Sequence, residues 1–304
     1  VALKPSNFDA MPTIRTREGI AMTKEEMPFF RESMLVKEQD MIDIMRVQDT
    51  DDPYITEVLE SIYDDTNNLI DGADISAERM RMQLLAPQNG TLGIQIGTVD
   101  NMIHNYSYDP DSSWKAKHYV ELTTASDKWD APTTAKPLND LRKGIQYLSS
   151  IGVTARYLLG NSTTFDMLLE CDQIKDALVT IMGTNVGFLD TDTVEEIIRR
   201  KVKLEMLPYD KMFKDYDGTE KKFYPDNYVT IIGSNQLGNT WYGTTPEERT
   251  LLGDPKVDVS VLDRGVAIAV KTDYGPPVQV STTASQIVLP SFEGMDSIYV
   301  IKVA

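Results

Sequence analysis

Two histidines, one cysteine and three runs of aspartate are the residues of this chain with chemistry to offer. His104 and His118 sit in IHNYSY and KHYV, without the spacing of a metal site. Ordinary packed or surface histidines are the expectation for both. Cys171, in DMLLECDQIKDAL, falls on an amphipathic helix pattern and reads as a buried, inert thiol. The runs DTDD (Asp49–Asp52), DTDT (Asp190–Thr193) and DYDG (Asp215–Gly218) lack the glycine and distal glutamate of a calcium loop. The first precedes a helix, where acids favour the positive end of the dipole, and Thr191 or Asp192 is expected to cap another. The chain has no GxGxxG, GxxxxGK[ST] or GxSxG. No catalytic, cofactor-binding or metal-ligating residue is nominated, and an enzyme is the disfavoured class.

Composition narrows the partners. A chain of 304 residues, 41% hydrophobic, can bury a substantial core in one large domain or two modest ones. Its formal charge of -17, from 47 acids against 30 bases, argues against gripping nucleic-acid phosphates, which takes clustered Lys and Arg. An acidic surface repels DNA instead. With one cysteine there is no disulfide framework. No apolar run reaches membrane-spanning length and no signal pattern opens the chain, so a water-soluble protein made in a reducing cytoplasm is expected. The first residue is Val1, so an initiator Met or a longer leader is expected to be missing.

The elements that would position these residues read as follows. Residues 11 to 38 look like two extended segments around a polar turn at Thr23 to Glu26. Ile14, Ile20 and Met22 alternate with polar residues before the turn, and Phe30, Met34 and Val36 follow it. Such a hairpin lacks its own core and needs a surface to lie on, either its own domain or another subunit. Over residues 51 to 86, Ile55, Leu59, Ile62, Leu69, Ala73, Ala77, Met80 and Leu84 form one apolar stripe. The spacing predicts a spine helix about 50 Å long, opened by Pro53, weakened at Gly72 and ended by Pro87. GTLGIQIGTV and KAKHYVELTT read as paired strands. WDAPTTAKPLNDLRKGIQYLSSIG reads as a helix with Leu138, Leu141, Ile145 and Leu148 on one face. VTARYLLG is a buried strand, and NSTTFDMLLECDQIKDALVTIMG is one capped helix. A short helix, DTVEEIIRRK, comes next. KLEMLPYDKMFKD and KKFYPDNYVTIIG are a strand pair around DYDGTE, and the last fifty residues are strand-rich. The class is α+β, without a repeating βαβ period.

This order resembles the lambda-type major capsid protein E family of tailed phages, with the Hong Kong 97 capsid fold. The residues that carry the resemblance are WDAPTTAKPLNDL, TARYLLGNSTTFDMLLECDQIKDAL, YPDNYVTIIG…GNTWYGTTPEE and TTASQIVLP…DSIYVIKVA. It implies a short amino-terminal arm over 1–10 and an extended-loop hairpin over 11–45. A peripheral domain over 46–128 would carry the spine helix 51–86, and the axial domain would span 129–259. Residues 260–282 would return to the peripheral domain, and 283–304 would add axial strands. The family carries a longer arm than this one, which points to an arm that is short or removed.

The implied function is a major capsid protein that assembles as pentamers and hexamers into an icosahedral head around double-stranded DNA. The implied subunit-contact residues are Arg15, Arg17, Lys24, Phe29, Phe30, Asn239, Trp241 and Tyr242. The implied partners are copies of itself, a portal protein, scaffold and decoration proteins, and packaged DNA by proximity only, with no cofactor and no membrane. The place is the virion, assembled in the host cytoplasm. Trp241 lies in a glycine-punctuated loop, NQLGNTWYG, with no nucleophile beside it. Two readings stand: burial between subunits, or burial in the chain's own core. The competing classes are a tail-tube or head–tail adaptor protein and an α+β enzyme.

Overall fold

The structure, a computed structural model, describes residues 26–40, 42, 64–97, 103–182, 190–215, 218–233, 235–251, 257–261, 265–273, 275 and 278–304. The described strands are β1 (Phe29–Lys37), β2 (Gly93–Gly97), β3 (Ile103–Ser107), β4 (Tyr119–Glu121), β5 (Ala155–Gly160), β6 (Glu205–Pro208), β7 (Met212–Lys214), β8 (Glu220–Lys222), β9 (Tyr228–Gly233), β10 (Thr240–Gly243), β11 (Val257–Val261), β12 (Val266–Asp273), β13 (Gln279–Pro290) and β14 (Ile298–Lys302). The described α-helices are α1 (Asp65–Leu85), α2 (Lys115–His118), α3 (Pro137–Ser150), α4 (Ser162–Glu170), α5 (Asp172–Met182) and α6 (Thr191–Val202).

Two five-stranded sheets organise the chain. The first runs β1-β13-β12-β11, with β10 also on β13. The second runs β4-β14-β9-β5-β6. Helices α3 to α6 cover one face of the second sheet through a core that includes Leu141, Leu148, Leu158, Leu168, Ile174, Ile197 and Ile231. The other face meets α1, the β2–β3 hairpin and the end of β13 through Met80, Leu84, Ile94, Tyr224, Val288 and Val300. The amino-terminal half of α1 lies on the first sheet, with Leu69 against Val266, Ile268 and Ala284. One helix thus serves two sheets.

Several expectations are corrected in detail. The spine helix does not run unbroken from 51 to 86. Asp64 is non-helical (φ -76, ψ 58), and its carboxylate accepts the Asn67 N–H, so α1 starts at Asp65. Residues 51–63 lie outside the described residues. Twenty-one residues make a helix of about 32 Å. Its stripe of Leu69, Ala77, Met80 and Leu84 is buried as expected. Gly72 sits inside the helix, its carbonyl accepting from Ser76 Oγ at 3.0 Å. The ribbon partner of β2 is β3, not KAKHYVELTT. Asp109 accepts the backbone N–H groups of Trp114 (3.0 Å) and Lys115 (2.9 Å), which turns that segment into α2. The chain then enters the second sheet as β4, parallel to β14.

The expected single helix after Asn161 is two. Asn161 caps α4, accepting the Thr164 N–H at 2.9 Å, but Cys171 is extended (φ -70, ψ 126). The 131–135 segment competes there: Asp172 N–H donates to Pro132 O at 3.0 Å, and Cys171 Sγ lies 3.5 Å from Ala135 O. Asp190, rather than Thr191 or Asp192, caps α6, accepting the Thr193 N–H at 2.9 Å. The polar turn after Asp215 joins only β7 to β8, while β6 pairs with β5 and β9 with β5 and β14. Strand pairing groups the remaining segments by sheet. Segments 240–243 and 257–261 belong to the first sheet, as does β13 through Pro290, while β4 belongs to the second. Backbone hydrogen bonds set these divisions, and short polar strands carry little periodic signal for them.

Candidate subunit-contact surface

The nominated residues that fall among the described ones gather on the first sheet. Arg15, Arg17 and Lys24 lie outside the described residues. Because side chains alternate along a strand, β1 presents Phe29, Arg31, Ser33, Leu35 and Lys37 to one face and Phe30, Met34 and Val36 to the other. Phe30 and Met34 pack toward α1, in two different cores. Phe29 is 42% exposed on the opposite face. Phe29 and Gly243 both pair with Ile287, so β1 and β10 flank β13 on opposite sides. Trp241 pairs with Leu289, on the face that carries Phe29 and Ile287.

Trp241 is 59% exposed and therefore outside the chain's own core. Its Nε1 donates to Ser291 Oγ at 3.2 Å. Ser291 in turn anchors Asn239: its N–H donates to Asn239 O at 2.7 Å, and its Oγ accepts the Asn239 N–H at 3.1 Å. Gly238 makes this approach possible, because a Cβ there would stand 2.0 Å from Ser291 O. Tyr242 points to the other face, toward α1, and is 40% exposed. It packs on Gly265, whose φ of +69 suits glycine and whose Cβ would meet Tyr242 Cβ at 2.8 Å. Strand β10 is thus held in place while its indole is left in solvent.

Sequence reasoning missed the rest of this face. Leu35 is 53% exposed and Val261 43%. The register aligns Arg31, Ser285, Ala267 and Val261 in one row across four strands. Ser33 and Thr283 are joined by their hydroxyls at 2.7 Å. Arg31 stacks on Phe29 at 4.8 Å and pairs with the buried carboxylate of Glu247, from the 247–251 turn that lies over β11 and β12. The alternation of β1 was the available signal. Only pairing to β13 turns it into a surface.

The run DTDD lies outside the described residues, and the described residues with chemistry to offer are packed or paired within the fold. His118 is buried, its Nδ1 2.8 Å from Ile298 O, stacked on Trp114 and edge-on to Tyr147. His104 stacks on Tyr106. Burial pushes the Cys171 thiol up from its ordinary value. Asp215 pairs with Arg79 of α1 at 3.2 Å and with Lys221. Burial, and then the hydrogen bond to Glu78 of α1, push the Tyr209 hydroxyl up. Among the described residues no group of three or more His, Cys, Asp or Glu could hold a metal ion, and no helix is long and apolar enough to cross a membrane.

Comparisons with known proteins bear on the family and the fold. The family model for phage major capsid protein E matches residues 1–261. No curated protein matches the chain. A solved structure assigned as the capsid protein of a prophage in E. coli CFT073 superposes with a TM-score of 0.61 at 14% identity, covering 92% of this chain and 78% of that one. A phage-related protein from Bordetella bronchiseptica RB50 superposes with a TM-score of 0.51 at 12% identity, covering 92% and 76%. The chain has the capsid fold of the Hong Kong 97 type.

Proposed function

The chain belongs to the phage major capsid protein E family, and from that premise we propose that copies of it close rings of five and six which tile an icosahedral head. Trp241 carries the reading. An indole 59% exposed, on a sheet face that also exposes Phe29, Leu35 and Val261, is surface that a neighbouring copy would cover. Contacts between unlike faces close a ring when the rotation permits. Within the extended loop over 11–45, β1 roots the loop in the chain's own first sheet, and the segment before it, with Arg15, Arg17 and Lys24, is the part laid on a neighbour. The second sheet with α3 to α6 is the axial domain at the ring centres, and α1 with the first sheet is the peripheral domain.

The role is structural rather than catalytic. A portal protein at one vertex, scaffold and decoration proteins, and packaged double-stranded DNA complete the head. The acidic chain repels the DNA and lets it slide. Assembly in the host cytoplasm precedes packaging, with no membrane involved. Size exclusion followed by electron microscopy of the purified chain tests the reading. Closed shells or rings of five and six are the expected outcome, and a monomer under all assembly conditions would sink it.

A further inference from the structure

The helical layer on the second sheet carries two exposed faces of opposite charge. The last turn of α6 and the residue after it hold Arg199, Arg200, Lys201 and Lys203, the densest basic run of a chain whose net charge is -17. Lys203 caps the helix in the left-handed region (φ 61), which turns the chain into β6. In the parallel β5–β6 pair Tyr157 is level with Glu205. The exposed Arg156, one residue earlier, therefore lies at the same corner. Ile151, 44% exposed, leads into β5 at this end. The second face is on α4 and α5. Asp166 and Glu170 are four apart on α4, and Asp172, Asp176 and Val179 are four and three apart on α5, so each set shares a helix face. All five are exposed, Val179 by 40%. Among the described residues no ion pair joins the α6 cations to Asp166, Glu170 or Asp172; Arg200 pairs with Glu196 of its own helix, and Asp172 with Lys175.

We infer that the basic corner of α6 docks on the acidic α4–α5 face of the next copy in the ring, a contact that rests on the capsid reading above. The two faces differ, so they cannot pair with themselves about a two-fold axis, but they can pair head to tail. Each carries an exposed aliphatic side chain, Ile151 on one and Val179 on the other, to be covered when the charges meet. Complementary charge at such a rim selects orientation and register. A nucleic-acid partner fits less well. Glu195, Glu196 and Glu205 flank the basic run, which leaves too little net charge to neutralise a phosphate backbone.

A charge swap tests this. Arg199→Glu with Arg200→Glu should abolish rings and shells while the subunit keeps its circular dichroism and denaturant midpoint. Asp166→Lys with Glu170→Lys should abolish them too; mixing the two variants should recover rings of six, in which they can alternate, and all four changes in one chain should recover rings and shells alike. Normal assembly of either double variant overturns the contact. So does failure of both without recovery in the combined chain. Should the α6 variant unfold, the α4 variant and its salt dependence decide, because wild-type assembly should weaken when ~1 M salt cuts the screening length to about 3 Å. Loss of binding to a double-stranded DNA fragment with assembly intact would assign the corner to DNA instead. A wild-type chain that never oligomerises rejects the capsid reading and this contact with it, whereas assembling wild type with indifferent variants rejects the contact alone.

Discussion

Trp241 is where the residue scale decides most. Its indole has one hydrogen bond, to Ser291, and little packing of its own. Trp241→Ala should therefore change the unfolding free energy of the dissociated subunit by less than about 1 kcal/mol and leave its denaturant midpoint nearly in place. A core aromatic would cost about 3–5 kcal/mol. Particle yield and particle melting temperature should fall instead, because a buried interface aromatic typically contributes more than about 2 kcal/mol. A large drop in the subunit midpoint would contradict the contact role. Cys171 makes a second residue-scale test. It is fully buried, and burial raises its thiol, so the thiolate that reacts with thiol reagents is scarce and enclosed. Labelling of native protein at pH ~8 should be slow, and should become complete in denaturant, where the thiol returns to about 8.5.

Elements govern what survives truncation. Were the hairpin over 11–38 to rest only on another subunit, deleting residues 13–36 would leave a folded subunit. The pairing revises this, because β1 matches β13 over its whole length, from Phe29↔Ile287 to Lys37↔Gln279. Removing 13–36 strips that strand from the first sheet and should lower the subunit's melting temperature. Removing 13–25 spares β1 and should leave the subunit melting normally while shells no longer form. Normal shells from the 13–25 deletion would end the extended-loop proposal. The cap of α6 gives a pH test. Hydrogen bonds from Thr193 hold the Asp190 carboxyl below its usual 3.8. A depressed carboxylate stabilises the fold above its unfolded value, and that contribution is lost as pH falls through the folded one. Wild type should be more stable than Asp190→Ala near neutrality, and the difference should shrink as pH falls below about 3.8. A difference that persists in acid would remove the cap as its cause.

At the scale of the molecule, α1 is the shared piece. A single turn ties it to the end of β6, to the β7–β8 hairpin and to β10: Glu78 accepts from Tyr209 at 2.8 Å, Arg79 pairs with Asp215 at 3.2 Å, and Arg81 donates to Thr240 at 3.2 Å. Together with the apolar core around Met80 and Leu84, these bonds fix how the sheets stand to each other, which sets the shape a shell is built from. Met80→Ala opens a cavity where both sheets meet, and should cost about 2–5 kcal/mol of subunit stability. A single cooperative unfolding transition, lowered as one, is the expected calorimetric result. Two separated transitions would mean that the sheets fold independently. The family match favours the capsid role over a tail-tube or adaptor protein.

The sequence by itself determined the class, the family and the long-period elements. The stripe Leu69, Ala77, Met80, Leu84 and the face Leu138, Leu141, Leu148 repeat at helical spacing over several turns, so each is legible without knowing its partner. Asn161 before a helix was legible for the same reason, since a cap acts on the next three residues. Tertiary structure alone decided who pairs with whom. Strands of three to five residues such as β3, β4 and β10 carry too few alternations to choose a partner, and long-range bonds chose for them. The break at Cys171 came from Pro132 and Ala135, nearly forty residues away. The exposure of Trp241 likewise followed from its place opposite Leu289, because an indole in a glycine-rich loop packs equally well inside a core until the register gives it a face.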